Sequence, residues 1–441
     1  MLLTSNIFLF LFLPFSLIIN YFNLNKKIKT LFIGILSGYF YFIDNGYLII
    51  ILIFLSILMH FQIKTNSLNN VFFIILLSLP LIVFKYSFLI FNFLKLDVPD
   101  FIINNFPIGL SFFTFQAIAY YFDKGRLKSK EGIFDIFTFL TFFPQLLAGP
   151  IVDIETYRNG INKNKLDINY FSEGIGRLAL GLFKKFFIAD TLSQITSIYL
   201  NNESMLSLST LSSILLIFSY TFQIYFDFSA YCDIAIGIGL MFGFKLPENF
   251  NKPYLAKSFQ DFWRKWHITL SNFFKNFVYI PLGGNRTTKL KNYRNLWITF
   301  FLTALWHGAT LNFLIWGFCH GFFLTFEKII NYKKIFSNRY VTFIAISLTW
   351  VPFFSKSLSD TLEIIYSLTV FKNSKDTLLP LMIEVVNFKF LIVFIICIFS
   401  LIRFKKINFV YNNIYINLVA LMAGIVLVIL SSVDPFIYFK F

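Results

Sequence analysis

The segment 295–328, NLWITFFLTALWHGATLNFLIWGFCHGFFLTFEK, is apolar along most of its length yet carries His307, Asn312 and His320 together with Gly308, Gly317 and Gly321. An ionisable side chain at membrane depth is costly, so it marks a functional site by default. Trp306 precedes His307 and the helix-weakening Gly308 follows it, which lets the imidazole reach a cavity. A neutral imidazole placed there has the chemistry of a general base. The alternative for His307, and more strongly for His320, is a hydrogen-bonded histidine packed between helices. The two are 13 residues apart, so on one straight helix they would stand about 20 Å apart on roughly opposite faces. They can meet only if the helix is broken.

A second constellation lies in DFWRKWHITLSNFFKNFVYIPLGGNR, residues 261–286. On a helix, Gln260, Arg264, His267, Ser271 and Lys275 recur along one side, and Phe262, Trp263, Trp266, Leu270 and Phe273 fill the other. That spacing predicts an amphipathic helix with His267 on its polar face. Such a helix can lie in the headgroup plane. The ending YIPLGG stays apolar and then breaks at Pro281, Gly283 and Gly284, which suggests instead a segment that enters the membrane and returns. Asp227, Asp233 and Glu248 flank a nearly apolar run. They could orient a histidine, bind a polar substrate or pair with bases. The candidate substrate-binding residues are Arg264, Asp227, Asp233, Asn312 and His320.

Other chemistries find no footing. The only histidines are His60, His267, His307 and His320, without H-E-x-x-H or any paired-ligand spacing, so no metal site is expected. Neither a G-x-S-x-G elbow nor a P-loop is present, which argues against a serine hydrolase and a P-loop ATPase. GIGLMFG at 237–243 reads as small residues for close helix packing. Cys232, Cys319 and Cys397 sit in apolar surroundings without C-x-x-C spacing and read as small buried hydrophobes.

The elements that must position these residues are helices in lipid. The chain has 441 residues, 57% hydrophobic, with a mean hydropathy of +0.71, against about 45–50% apolar residues in soluble domains. The 64 phenylalanines are read as compositional bias and carry no chemical weight. A net charge of +16 would suggest nucleic acid in a soluble protein, but here the bases fall in short gaps between apolar runs. That is the positive-inside pattern and not a nucleic-acid surface. The first 22 residues lack a basic leader region and a small-residue cleavage site, so they read as a retained span.

A spanning helix needs about 20 apolar residues. On that measure, candidates lie near 3–22, 30–43, 46–63, 70–94, 107–122, 133–152, 171–200, 210–226, 229–244, 295–329, 340–355, 386–402 and 413–433. This is an all-α polytopic membrane protein with 11–13 expected spans. The basic clusters at 26–29, 123–130, 286–294 and 403–406 should face the cytoplasm, which puts the N-terminus outside. No repeat or low-complexity linker divides the chain, so a single integral membrane domain, 1–441, is expected. FFPQLLAGP at 142–150 and QIYFDFSAYCD at 223–233 put polar or broken backbone at membrane depth, where it must be buried in protein or line a cavity.

Taken together, FWRKWHITLSNFFKNFVYIPLGGNR and LWHGATLNFLIWGFCHG closely resemble the membrane-bound O-acyltransferase family. The resemblance is strongest to the branch of bacterial alginate and peptidoglycan O-acetyltransferase membrane subunits. It extends through LPENFNKPYLAKSFQDFWRKWH, QIYFDFSAYCDIAIG, FFPQLLAGPIV and PIGLSFFTFQAIAYYFD, covering about residues 107–328. In FSAYCD, Ala230 and Cys232 stand where this branch commonly has Gly and Ser, a departure that leaves Asp227 and Asp233 in place.

The resemblance implies a helical bundle with re-entrant segments around a central tunnel, set in the bacterial inner membrane. The family's membrane-embedded histidine falls on His307 and its second motif histidine on His267; His320 matches a histidine often seen in this branch. It implies acetyl-CoA as acyl donor, no bound cofactor, a polysaccharide acceptor such as peptidoglycan or an alginate-like exopolysaccharide, and a separate periplasmic SGNH-type transferase. On that reading His307 takes the acceptor proton, while His267 hydrogen-bonds the donor or polarises the thioester carbonyl. Arg264, Lys265, Arg286, Lys289, Lys291 and Arg294 could attract CoA phosphates, and positive-inside topology explains the same residues. The alternatives are a D-alanyl transfer protein of teichoic acid modification and a non-enzymatic transporter or flippase.

Overall fold

The computed structural model describes residues 2–22, 25–123, 132–162, 167–202, 208–330, 338–370, 378–402, 413–431 and 436–437. Among these, all regular structure is helical. Two helical stretches, Lys26–Thr65 and Thr210–Met241, are long and apolar enough to cross a membrane, or up to four if each sharply bent pair counts as one span. Not every apolar run behind the expected 11–13 spans is one straight helix. Instead, 70–94 bends by 71° between Lys85 and Ser87, and 295–329 breaks after His307. The expected spans 210–226 and 229–244, conversely, are one continuous helix. Two of the four basic clusters used for orientation, 124–130 and 403–406, lie outside the described residues.

The chain forms two compact units. The first comprises Met1–Leu182, Ala230–Glu248 and Ile407–Lys440, and the second Phe183–Ser229, Asn249–Lys406 and Phe441. In the first, α1 (Lys26–Asn45) and α2 (Ile49–Thr65) precede α3 (Ile168–Leu182). α3 packs against the helix Ile414–Leu430, where Asn417 Nδ2 donates to Ser172 O at 2.8 Å. A buried amide satisfied in this way fixes register between two otherwise apolar surfaces. Gly237 is the close-packing glycine that the sequence suggested: a Cβ there would stand 2.7 Å from Gly174 O. Arg177 Nη2 bridges Asp233 Oδ1 at 2.7 Å and Glu248 Oε2 at 2.8 Å.

The second unit holds the histidine-bearing segments. α4 (Thr210–Met241) contributes its residues up to Ser229 to this unit and the remainder to the first. α5 (Phe259–Trp263), α6 (Ile268–Phe274), α7 (Lys289–His307), α8 (Leu311–Ile329) and α9 (Arg339–Phe354) follow. α8 packs on both α7 and α9. Gly317 lets α7 and α8 approach closely, because a Cβ there would lie 2.6 Å from Ala304 Cβ and 2.9 Å from Phe300 O.

Candidate active site

The amphipathic helix expected over 260–275 is not continuous. α5 ends at Trp263, and His267 takes a left-handed backbone conformation, φ +43° and ψ 55°, before α6 begins. Few residues other than glycine adopt this region, so surrounding contacts must hold it. They come from Asn249. Ile268 N donates to Asn249 O at 2.9 Å, while Asn249 Oδ1 accepts from Thr269 N at 3.1 Å and Thr269 Oγ1 at 3.0 Å. The side chain of a distant residue thus satisfies an amide in the first turn of α6, the task an N-cap usually performs. His267 is consequently 1% exposed and not on a polar face. At the start of α5, Glu327 accepts from Gln260 N at 3.1 Å and also from Phe259 N.

α7 ends at His307, and the position after it has room only for glycine. Gly308 continues with an extended backbone, and a Cβ at that position would lie 2.4 Å from the Phe313 ring. The chain therefore turns into α8 with His307 at the break, 5% exposed. Its ring packs edge-on against Trp306 at 4.7 Å, Trp316 at 4.9 Å and Phe353 at 5.0 Å between centroids.

The break brings together what one straight helix would separate. Trp306 also contacts His267, at 6.0 Å, and Trp316 contacts His320, at 4.8 Å. The three histidines are thus linked as His267, Trp306, His307, Trp316 and His320 in one buried aromatic cluster. His320 is fully buried, and its hydrogen bonds assign its tautomer. Nδ1 accepts from Trp263 Nε1 at 3.3 Å. Thr349 Oγ1 donates to Ile346 O at 2.7 Å, so it accepts from His320 Nε2 at 3.2 Å. Both ring nitrogens are therefore occupied.

Beside this cluster lies a cavity of about 1000 Å³. Trp263, Leu296, Thr299, Phe300 and Thr303 line it, and the exposed cations Arg264, Lys275, Arg286 and Lys328 stand on its walls. Thr299, Thr303 and His307 follow one another at i, i+4 and i+8 on α7. Thr303 is thus one turn, about 6 Å, short of His307. Arg264 and Ile268, on either side of His267 in sequence, also line the cavity.

The remaining sequence candidates have other partners. Asn312 Nδ2 donates to Ser355 O at 2.8 Å, tying the start of α8 to the end of α9. Asp227 Oδ1 lies 2.9 Å from Lys185 Nζ, which also reaches Asp190 Oδ1 at 2.8 Å. Lys185 sits in a π-helical stretch, Phe183–Ala189. Asp233 belongs to the first unit, in the Arg177 bridge. Among the described residues, no group of three or more His, Cys, Asp or Glu could hold a metal. Sequence reasoning passed over Asn249, Trp316 and Lys185. Asn249 carried a weak signal, as the first of two asparagines in PENFNKP just before the aromatic segment, but nothing in the chain says which turn it will cap.

Residues 115–332 match the family model described as MBOAT, membrane-bound O-acyltransferase family. The "Probable alginate O-acetylase AlgI" of Pseudomonas syringae pv. tomato is 40% identical over 259 residues, 57% of this chain and 49% of that protein. The "Peptidoglycan O-acetyltransferase" of Helicobacter pylori is 40% identical over 297 residues, 59% of this chain and 56% of that protein. A "Teichoic acid D-alanyltransferase" of Bacillus subtilis is 30% identical over 265 residues, 55% of this chain and 65% of that protein. The chain spans about half the length of its alginate and peptidoglycan relatives. His267, His307 and His320 all fall inside the matched region. Over residues 115–332, the chain is similar to the membrane-bound O-acyltransferase family.

Proposed function

We propose that the chain is a membrane O-acetyltransferase that takes acetyl from acetyl-CoA and passes it outward for O-acetylation of an exported or cell-wall polysaccharide. The observation that carries this reading is His307 at a helix break, one turn beyond a cavity whose walls bear four cations. A phosphate-rich thioester fits such a cavity, since Arg and Lys attract its phosphates and the Leu296 and Phe300 side chains provide an apolar lining. Relatives named for O-acetylation are 40% identical and one named for D-alanyl transfer is 30% identical, which favours acetyl over D-alanyl. Nothing comparable favours a transporter.

In the proposed reaction an acceptor hydroxyl oxygen bonds to the acyl carbon, its proton passes to His307, and the carbon–sulfur bond breaks. The thiolate leaves and recovers that proton as CoA thiol. Base catalysis of this kind contributes about 10²–10⁴-fold. His267 is the second histidine of the site. His320, engaged at both nitrogens, positions Trp263 on the cavity wall. Asp227 and Asp233 act as structural charges, Asn312 as a tie between helices, and Arg264 as a donor contact. The reading includes a single membrane domain in the bacterial cytoplasmic membrane with the N-terminus outside. It also includes a periplasmic SGNH-type partner that completes transfer to the polymer.

The test is transfer of radiolabelled acetyl from acetyl-CoA on the cytoplasmic face of vesicles to an outside acceptor, comparing wild type with folded His307→Ala. Label crossing in the wild type alone is the expected result. Equal transfer by both would remove His307 as the base, and transfer by neither, with partner and acceptor supplied, would refute acetyl-CoA as donor.

A further inference from the structure

We propose that Asn249 is a positioning residue that fixes the His267 imidazole in the tautomer with its proton on Nδ1, leaving the Nε2 lone pair for the site. The argument begins with the orientation of the Asn249 amide, whose oxygen and nitrogen would otherwise be interchangeable. Thr269 N lies 3.1 Å from its Oδ1. A backbone N–H can only donate, so the atom it meets is the amide oxygen. The same oxygen faces His267 Nδ1 at 3.3 Å. An acceptor opposite a ring nitrogen makes that nitrogen the donor, and in a neutral imidazole the other nitrogen then carries the lone pair.

The arrangement is built to hold. Asn249 is fully buried. Its backbone carbonyl accepts from Ile268 N at 2.9 Å while its side chain holds Thr269, so both residues after His267 are tied to it. Phe228 lies edge-on to the His267 ring at 4.7 Å and Trp306 at 6.0 Å, which restricts rotation of the ring. His320, in the same cluster, has the opposite tautomer, because Trp263 donates to its Nδ1. The protein thus sets two imidazoles of one cluster in opposite proton arrangements.

This deepens the proposed transfer and, for its catalytic consequence, rests on it. With Nε2 as an acceptor, the resting neutral His267 receives a hydrogen bond from a hydroxyl or other proton-bearing group. It does not donate one to the thioester carbonyl, one of the two roles that the resemblance implied for it.

Histidine-selective ¹⁵N labelling of the full chain in membranes reads the tautomer directly, since the chain has only four histidines. The His267 resonances, identified by their loss in His267→Gln, should show a protonated Nδ1 and an unprotonated Nε2. Asn249→Asp keeps an acceptor oxygen and should keep that pattern, whereas Asn249→Leu should lose it. In the transfer assay, Asn249→Leu should lower kcat by about 10-fold or more with the donor KM unchanged, the size typical of losing a partner that orients a functional histidine, and Asn249→Asp should recover most of it. An Nε2–H tautomer in the wild type, or an unaltered tautomer in folded Asn249→Leu, overturns the proposal. If the tautomer is as stated and wild type transfers no acetyl, the assignment of Asn249 stands and the acetyltransferase reading fails.

Discussion

Asp227 offers the sharpest separation between a structural and a substrate-binding role. Its carboxylate and that of Asp190 both contact Lys185, whose side chain is 2% exposed. One cation thus serves two anions. Lys185→Met keeps much of the side-chain length but removes the cation that both carboxylates contact. Removing one partner of a buried pair in this way costs about 3–5 kcal/mol. Asp227→Asn instead leaves the pair of Lys185 with Asp190, and its amide oxygen can still accept from Nζ. The loss is then that of one charge-assisted hydrogen bond, about 1.5–3 kcal/mol, partly offset by the retained contact. Lys185→Met should therefore be much the more destabilising of the two, and adding Asp227→Asn to it should recover stability by relieving carboxylate repulsion. Thermal unfolding of the detergent-purified variants gives the order, and kcat with KM per folded molecule gives the role. If Asp227→Asn unfolds like wild type but raises a substrate KM, or if Lys185→Met costs no more than Asp227→Asn, the structural assignment is refuted.

Gly317→Ala should destabilise the α7–α8 pair by about 1–3 kcal/mol, the usual cost of overpacking, because its Cβ would meet Ala304 Cβ at 2.6 Å and the immobile Phe300 carbonyl at 2.9 Å. Adding Ala304→Gly should restore part of the loss, which thermal unfolding would detect; equal stability of Gly317→Ala and wild type would contradict the packing argument. Arg264→Gln combined with Arg286→Gln should raise the acetyl-CoA KM several-fold, leave kcat nearly unchanged and flatten the dependence of KM on salt, since both cations line the cavity and exposed charges act mainly on encounter. An unchanged KM at low salt would leave these arginines to membrane topology alone.

The sequence by itself determined the solvent of the fold and the chemistry of its candidates. Composition, hydropathy and scattered bases specify helices in lipid, because an apolar chain must satisfy its backbone internally there. The rarity of histidine singled out His267, His307 and His320, and Gly308 and the YIPLGG ending marked where helices would break. Tertiary contacts decided which of these groups meet. Whether His307 and His320 stand apart on one helix or on two helices around Trp316 depends on the break after His307, where Phe313 occupies the space that a side chain at Gly308 would need. Whether His267 lies on a polar face or in the core depends on Asn249, 18 residues earlier, capping α6 from outside. Helical periodicity could not anticipate either outcome. It records the preference of each segment for water or apolar surroundings along its own axis, whereas a break stabilised by a distant side chain is a property of two segments at once.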